Sequence, residues 1–302
     1  MKNVSVILTT FNGEKTVEKT IDSILNQNGI NKEFTIELIA IDDCSSDSTM
    51  SILKRKNCVV YNMERNTGGP NKGRNIGIKK ATGDYICIAD QDDVWEKHKL
   101  RALLPHLETV SIVTSGYTLS DKNQKKNIYR FQRNGNGFIY FNKNETFRKK
   151  LAKSTNEQNT YLGSIIYRKE LNEILFEEHY GVVDFDWVLR LFHNQTSIEV
   201  CDSLYIRNVD ENNLSLNEDY RKKDFYYSLI ALKDYEEAYP KEVAQGYRKI
   251  HGSMARYYYL IGNMKQARFY FLRSDWNLKT LLYYITTFVG SDFVKKKFKI
   301  FG

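Results

Sequence analysis

Four short apolar runs occur before residue 90, and each ends in a polar, turn-forming cluster. Val4 to Thr10 leads into Phe11-Asn12-Gly13, and Phe34 to Ile41 leads into Asp42-Asp43-Cys44-Ser45-Ser46-Asp47. Val59 to Tyr61 leads towards Asn66-Thr67-Gly68-Gly69, and Tyr85 to Ala89 into Asp90-Gln91-Asp92-Asp93. Stretches with helical spacing lie between them: Val17, Ile21, Ile24 and Leu25 share one face, and Asn75-Ile76-Gly77-Ile78 leads a second stretch that stops at Gly83. Strands alternating with helices predict an α/β fold, a sheet flanked by helices. In such sheets the ligand site lies outside the carboxyl ends of the strands, so Asn12, Asp42, Asp43 and the 90–93 carboxylates are expected to converge.

The pattern changes towards the carboxyl end. From residue 220 onward the spacing is helical: Tyr226, Tyr227, Leu229, Ile230 and Leu232 first, then a hairpin over Met254–Ser274 around Gly262-Asn263, then Leu278–Val289. This predicts an α/β domain over residues 1–219 and a smaller, basic, tyrosine-rich helical region over 220–302. Residues 120–165 are polar and aromatic, and read as a loop or hairpin shaping entry for a second substrate.

Charge sharpens that division. Of 45 Lys and Arg, sixteen lie in 220–302 against seven Asp and Glu, leaving 29 basic and 30 acidic residues before them. A nearly neutral amino-terminal part argues against nucleic acid, whose backbone demands cations beside the reactive site. The closing Lys295-Lys296-Lys297-Phe298-Lys299-Ile300-Phe301 mixes cations with aromatics as membrane-surface segments do; a solvated terminus is the plain alternative. The four cysteines, at 44, 58, 87 and 201, read as unpaired core or turn residues of an intracellular chain. Val4–Leu8 is too short for a signal peptide or membrane span, so the expected location is cytoplasmic, with peripheral membrane contact through the basic region.

Three carboxylates in one turn after a buried strand call for a cation. Hard oxygen ligands there suit Mg2+ or Mn2+ holding a phosphate, whereas a solvated acidic turn capping a helix over Trp95–His106 is the alternative, with Asp93 as its cap. Arg74, at the start of a helix, is suited to meet a phosphate or base through charge-assisted hydrogen bonds. The histidines lack the paired spacing of a zinc site, and no Gly-x-Gly-x-x-Gly follows the first strand.

Taken together, these segments resemble the family 2 glycosyltransferases of the GT-A fold. Leu8-Thr9-Thr10-Phe11-Asn12 is similar to that family's Pro-x-Tyr-Asn opening, Ile41-Asp42-Asp43-Cys44-Ser45-Ser46-Asp47 to its Val-Asp-Asp-Gly-Ser-x-Asp segment with Cys44 in place of glycine, and Asn71-Lys72-Gly73-Arg74-Asn75-Ile76-Gly77 to its Ala-Arg-Asn-x-Gly stretch. Asp90-Gln91-Asp92 matches its Asp-x-Asp motif. The resemblance implies a nucleotide-sugar site at Thr9, Phe11, Asp42, Arg74 and Asp90, with Asp42 on the base, and Asp92 as ligand of Mn2+ or Mg2+.

Two further segments extend the match. Gly181-Val182-Val183-Asp184-Phe185-Asp186-Trp187 resembles the family's Glu-Asp pair before a helix, with Val183 replacing the glutamate, and aligns Asp184 with the general base; Asp186 competes, and a helix N-cap is the structural alternative for either. Leu204–Ser215 resembles a segment whose histidine binds the metal, and Asp210 stands there. The implied activity is inverting, metal-dependent transfer of a hexosyl or deoxyhexosyl group from a nucleoside-diphosphate sugar to a glycan acceptor, including lipid-linked acceptors of cell-surface polymers. A homo-oligomer is compatible with this. A catalytically degenerate nucleotide-sugar-binding scaffold is the competing reading, opposed by the presence of both Asp92 and Asp184.

Overall fold

The computed structural model describes residues 1–121, 126–130, 137–154, 158–181, 183–209 and 218–290. It opens with β1 (Lys2–Thr10), α1 (Val17–Leu25), β2 (Phe34–Asp42), α2 (Thr49–Arg55), β3 (Val59–Asn62), α3 (Asn71–Lys80) and β4 (Tyr85–Asp90). β1 pairs in parallel with β2 and β4, and β2 with β3, in the spatial order β3-β2-β1-β4. Register sets Thr10 opposite Asp42 and Thr9 opposite Asp90, so the two acidic strand ends flank the end of β1. Val4, Val6, Ile7 and Leu8 are all fully buried. A parallel strand covered on both faces is apolar at successive positions, which is why β1 reads as one continuous run.

Helix α3 packs on this sheet through its glycines. A Cβ on Gly73 would lie 3.0 Å from Thr9 Cγ2, and one on Gly77 would overlap the Ile7 side chain. Glycine permits this close approach of helix backbone to sheet, and the helix carries Arg74 to the end of β4.

Beyond β4 the sheet becomes mixed. β5 (Val94–Trp95), α4 (Lys99–Leu103), β6 (Ile112–Asp121), β7 (Lys126–Arg130), β8 (Phe138–Phe141), α5 (Glu145–Leu151), β9 (Ile166–Arg168), α6 (Phe185–Phe192) and β10 (Ser197–Val209) follow in order. Short β9 runs antiparallel to both β4 and β6, joining the two halves of the sheet, and β10 lies parallel to β6. Among the described residues ten strands form one sheet. The polar 120–165 region contributes β7, paired with β6, and β8, paired with β10.

One expected helix is corrected. Trp95 ends a two-residue strand paired with Tyr205, α4 begins only at Lys99, and Leu104–Glu108 is a 3-10 segment with proline at its start. Proline has no N–H for the α-helical ladder, so the run predicted over Trp95–His106 breaks.

By contacts the chain forms two compact units, Met1–Phe147 with Asn156–Leu216, and Arg148–Thr155 with Asn217–Gly302. The second contains α7 (Glu218–Lys233), α8 (Pro240–Leu260), α9 (Met264–Phe271) and α10 (Leu278–Thr286). α8 and α9 form the expected hairpin: Gly262 takes φ 85, and the Asn263 side chain caps α9 by accepting from the Gln266 N–H. Ala255, Tyr259, Ala267, Phe271 and Tyr283 form a small core that holds α8, α9 and α10. No helix among the described residues is long and apolar enough to cross a membrane.

Candidate active site at the strand ends

The turns after β1 and β2 are laced together around Asp42. Its carboxylate, buried at the end of β2, accepts from Thr10 Oγ1 at 2.8 Å, from Ser45 Oγ at 2.6 Å and from the Ser45 N–H at 2.8 Å. Two carboxylate oxygens offer about four acceptor positions, so capacity for one more donor remains. Ser45 Oγ in turn accepts from the Asn12 N–H, and Asn12 Oδ1 accepts from the Ser46 N–H. Forming this tight turn puts Cys44 at φ 64 and Asn12 at φ 46, the left-handed region. That explains glycine as the family's usual residue at position 44. Neighbouring Asp43 accepts from the Thr67 N–H and hydroxyl, fixing the loop that leads to α3.

The end of β4 carries a second network. Arg74, nearly fully buried, donates from one guanidinium nitrogen to Asp90 Oδ1 at 2.9 Å and from the other to Asn71 Oδ1 at 3.1 Å. Its Nε has no hydrogen-bond partner, and the group lies 5.3 Å from the Phe176 ring centroid. Gln91, the middle residue of the Asp-x-Asp motif, uses its amide to accept from the Phe11 N–H and donate to the Phe11 carbonyl. A side chain thereby continues the β1–β4 pairing one residue past the strand end, beside the exposed Phe11 ring. Gly13 leaves the space for it, since a Cβ there would overlap the Gln91 amide.

Asp93 is not a helix cap. It is buried beneath the motif, and burial pushes its carboxyl well above the usual range; Asp90 and Asp92 push the same way, while Arg207 and Lys99 pull against them. Lys99 is fully buried, donates to the Gly163 carbonyl, and lies 3.9 Å from the Trp95 ring centroid and 4.9 Å from that of Tyr205. Burial lowers its ammonium to about 8. Arg207 on β10 stacks on Tyr161 at 4.6 Å.

The segment leading to Asp184 is tied to the same helix as Arg74. Asn71 Nδ2 donates to the carbonyls of Glu177 and Val183, the Asn71 N–H donates to Gly181 O, and Asn75 exchanges hydrogen bonds with the Phe176 backbone. Phe176 stacks on Trp187 of α6 with centroids 4.4 Å apart. Asp184 occupies the N-cap position of α6, but its side chain makes no capping hydrogen bond. Asp186 is committed elsewhere: its Oδ2 takes two bonds from Arg190, at 2.9 and 2.6 Å.

Thr9, Asp42, Arg74 and Asp90 are therefore gathered along adjacent strand ends, with Phe11 just past β1. Asp92 follows in the next turn, where its carbonyl accepts from Asn208 Nδ2 at 2.6 Å, while Asp210 lies outside the described residues. Asp90 and Asp92 supply hard carboxylate oxygens of the type Mg2+ and Mn2+ take. Among the described residues no three His, Cys, Asp or Glu side chains gather as a cation site. Asp90 is already paired with Arg74, which leaves Asp92 as the motif carboxylate suited to a cation that completes its coordination on ligand oxygens and water, as Mg2+ commonly does. A separate cavity of about 450 Å³ beside Lys2, Phe34 and Asp84 lies at the amino ends of the strands, away from these groups. Sequence reading missed Asn71, Gln91, Lys99 and Arg207. Asn71, Gln91 and Arg207 stand inside segments already singled out, whereas Lys99 carried no signal.

A sheet of this topology with acidic clusters on its carboxyl edge places the chain among the α/β proteins whose ligand site lies at the strand ends. The chain matches the model of Glycosyl transferase family 2 over residues 5–176, and it belongs to that family. It is 36% identical over 105 residues to the poly(ribitol-phosphate) beta-N-acetylglucosaminyltransferase TarS of Staphylococcus aureus (strain Mu50 / ATCC 700699), covering 33% of this chain and 18% of that protein. Over 124 residues it is 36% identical to the putative teichuronic acid biosynthesis glycosyltransferase TuaG of Bacillus subtilis (strain 168), covering 38% of this chain and 47% of that one. The matched segments thus span less than half of these relatives' lengths. Among solved structures, S. aureus TarS 1-349 superposes with a TM-score of 0.66 at 20% identity, covering 95% of this chain and 81% of that one. The complex of TarS 1-349 with UDP gives 0.65, also at 20% identity, covering 99% and 93%. The fold is the GT-A arrangement.

Proposed function

We propose that this protein is an inverting glycosyltransferase that moves a sugar from a nucleoside diphosphate to a hydroxyl of a cell-surface glycan or its lipid-linked precursor. The observation that carries this reading is the double tie of α3. Arg74 reaches Asp90 of the Asp-x-Asp motif, while Asn71, one turn earlier, holds the backbone that leads to Asp184. A donor-phosphate group and a base are thereby hung from one rigid helix, as a displacement between two substrates requires.

In this reading Asp42 accepts a hydrogen bond from the nucleotide base, Thr9 and Phe11 border it, and Asp90 adjoins the ribose. Asp92, with Asp210, would hold Mn2+ or Mg2+, which supplies charge neutralisation for the diphosphate when bound. Arg74 places a fixed cation and the amino end of α3 beside the phosphates. Asp184 takes the proton of the acceptor hydroxyl as its oxygen bonds to the anomeric carbon. The bond from that carbon to the diphosphate oxygen breaks, and the electron pair leaves with the nucleoside diphosphate. Attack opposite the leaving group inverts the configuration.

The structural relatives bound to UDP and UDP-GlcNAc make uridine diphosphate sugars the first donors to test. Purified protein with Mn2+ is screened for release of nucleoside diphosphate. Asp92→Asn is expected to lower turnover by about 100-fold or more, and Asp184→Asn to retain donor binding while losing transfer. Failure of every nucleotide to bind, or full transfer by Asp184→Asn, would overturn the proposal.

A further inference from the structure

Helix α10 buries one face and leaves an apolar stripe exposed on the opposite side. At about 3.6 residues per turn, Thr280, Tyr283 and Thr287 share the face turned to α8 and α9. Tyr283 stacks there on Phe271, and its ring meets that of Tyr259 edge-on. On the other side, continuing past the end of the helix, Leu278, Leu281, Leu282, Ile285, Phe288 and Val289 are 42–73% exposed. A surface helix ordinarily presents polar residues to water, so an exposed apolar stripe marks an interaction surface.

The charges around it select the occupant. Residues 264–290 contain four cations, Lys265, Arg268, Arg273 and Lys279, against one carboxylate, Asp275. That carboxylate is itself paired with Arg248 and Lys249 at 2.8 and 3.0 Å. The sequence that follows adds Lys295, Lys296, Lys297 and Lys299 against Asp292. A self-contact would bring two such basic surfaces together, whereas an anionic lipid surface satisfies the cations and the apolar stripe at once.

We propose that α10 docks on anionic membrane surfaces, with its outer stripe inserted among the acyl chains and the surrounding cations on lipid phosphates. The span is too short to cross; an amphipathic helix of this type lies in the plane of the interface. Binding of this kind keeps the enzyme at the surface where a lipid-linked acceptor resides, but the docking itself stands independently of the catalytic reading.

The test is flotation of the full chain with vesicles of phosphatidylcholine alone or mixed with phosphatidylglycerol. Binding is expected to the mixed vesicles, to weaken with salt, and to fall by about tenfold or more in Leu282→Gln/Ile285→Gln. Lys295→Glu/Lys296→Glu/Lys297→Glu is expected to weaken it by a similar factor or more. Leu282 and Ile285 are exposed, and circular dichroism with nucleotide binding checks that both variants fold. No binding to either vesicle, or equal binding to both, would overturn the proposal. So would a concentration-dependent dimer that Leu282→Gln/Ile285→Gln dissolves without any vesicle binding, which would assign the stripe to a second copy.

Discussion

Asn71→Ala tests whether α3 couples the two halves of the site. Asn71 is fully buried, and its side chain makes two donations to backbone carbonyls and one acceptance from Arg74. Truncation strands one buried and one part-buried carbonyl and one guanidinium nitrogen. At about 1 kcal/mol or more for each unmet group, the loss is roughly 3–4 kcal/mol. Alanine's better helix propensity returns about 0.5 kcal/mol, so the first unit should be destabilised by about 3 kcal/mol. Urea unfolding of a Trp276→Phe background, which leaves Trp95 and Trp187 of the first unit as reporters, measures this by fluorescence. The functional effect should exceed the loss of folded protein: with its tether cut, the 177–184 segment samples positions in which Asp184 misses the acceptor, lowering kcat by about 10- to 100-fold while donor affinity changes less. Hydrogen exchange at Gly181 and its neighbours should accelerate in step. Unchanged exchange with unchanged kcat would refute the coupling, and lost stability with normal kcat per folded molecule would reduce Asn71 to a packing residue.

Other consequences are open to direct measurement. Asp186→Asn weakens the bonds to Arg190 and should lower stability by about 1–2 kcal/mol, with transfer activity retained; loss of transfer in a folded variant would move the base from Asp184 to Asp186. Gly77→Ala forces a methyl into Ile7 and should cost about 1–3 kcal/mol in the urea midpoint, whereas an ordinary helix position would gain from the same change. Under the proposed function, Gln91→Ala should weaken binding of the donor nucleotide by about tenfold, read by calorimetry, because the Phe11 backbone loses both its bonds. Lys99 titrates at about 8 in the folded chain against 10.5 ordinarily, so the unfolded state holds its proton more tightly between those values. Stability relative to Lys99→Met should therefore rise as pH increases from 8 to 10.5, and a flat difference would contradict the burial argument.

The parallel half of the sheet was legible because its strands are covered on both faces and must be apolar throughout. β1, β2 and β4 announce themselves, and the turn residues after them mark the edge where ligands bind. β5 and β9 were not legible: two or three residues carry no periodicity, and they exist because neighbouring strands offer them partners. The helix expected over Trp95–His106 is shorter at both ends, because Trp95 pairs with Tyr205 in the sheet and Pro105 cannot donate to an α-helical ladder. Of the residues expected at the site, Thr9, Asp42 and Asp90 lie at neighbouring strand ends with Arg74 bonded to Asp90, as the spacing of the segments anticipates. Gln91 and Asn71 stand inside the same segments, but side chains that bond to distant backbone leave no pattern of their own in the chain. Asp93 shows the converse: a sequence of three adjacent carboxylates hides the fact that one of them points into the core.

The left-handed turn at Cys44 offers a chemical address. An L-residue at φ 64 gives up about 1 kcal/mol relative to glycine, so Cys44→Gly should firm the turn that holds Asp42. As it stands, the thiol is exposed, whereas Cys87 is buried and Cys58 and Cys201 are half-covered. Brief treatment with a bulky maleimide should therefore mark position 44 first, two residues from the carboxylate read as the base contact. A fluorophore placed there would report nucleotide occupancy without knowledge of the sugar, turning a replaced glycine into a sensor for the donor still to be identified.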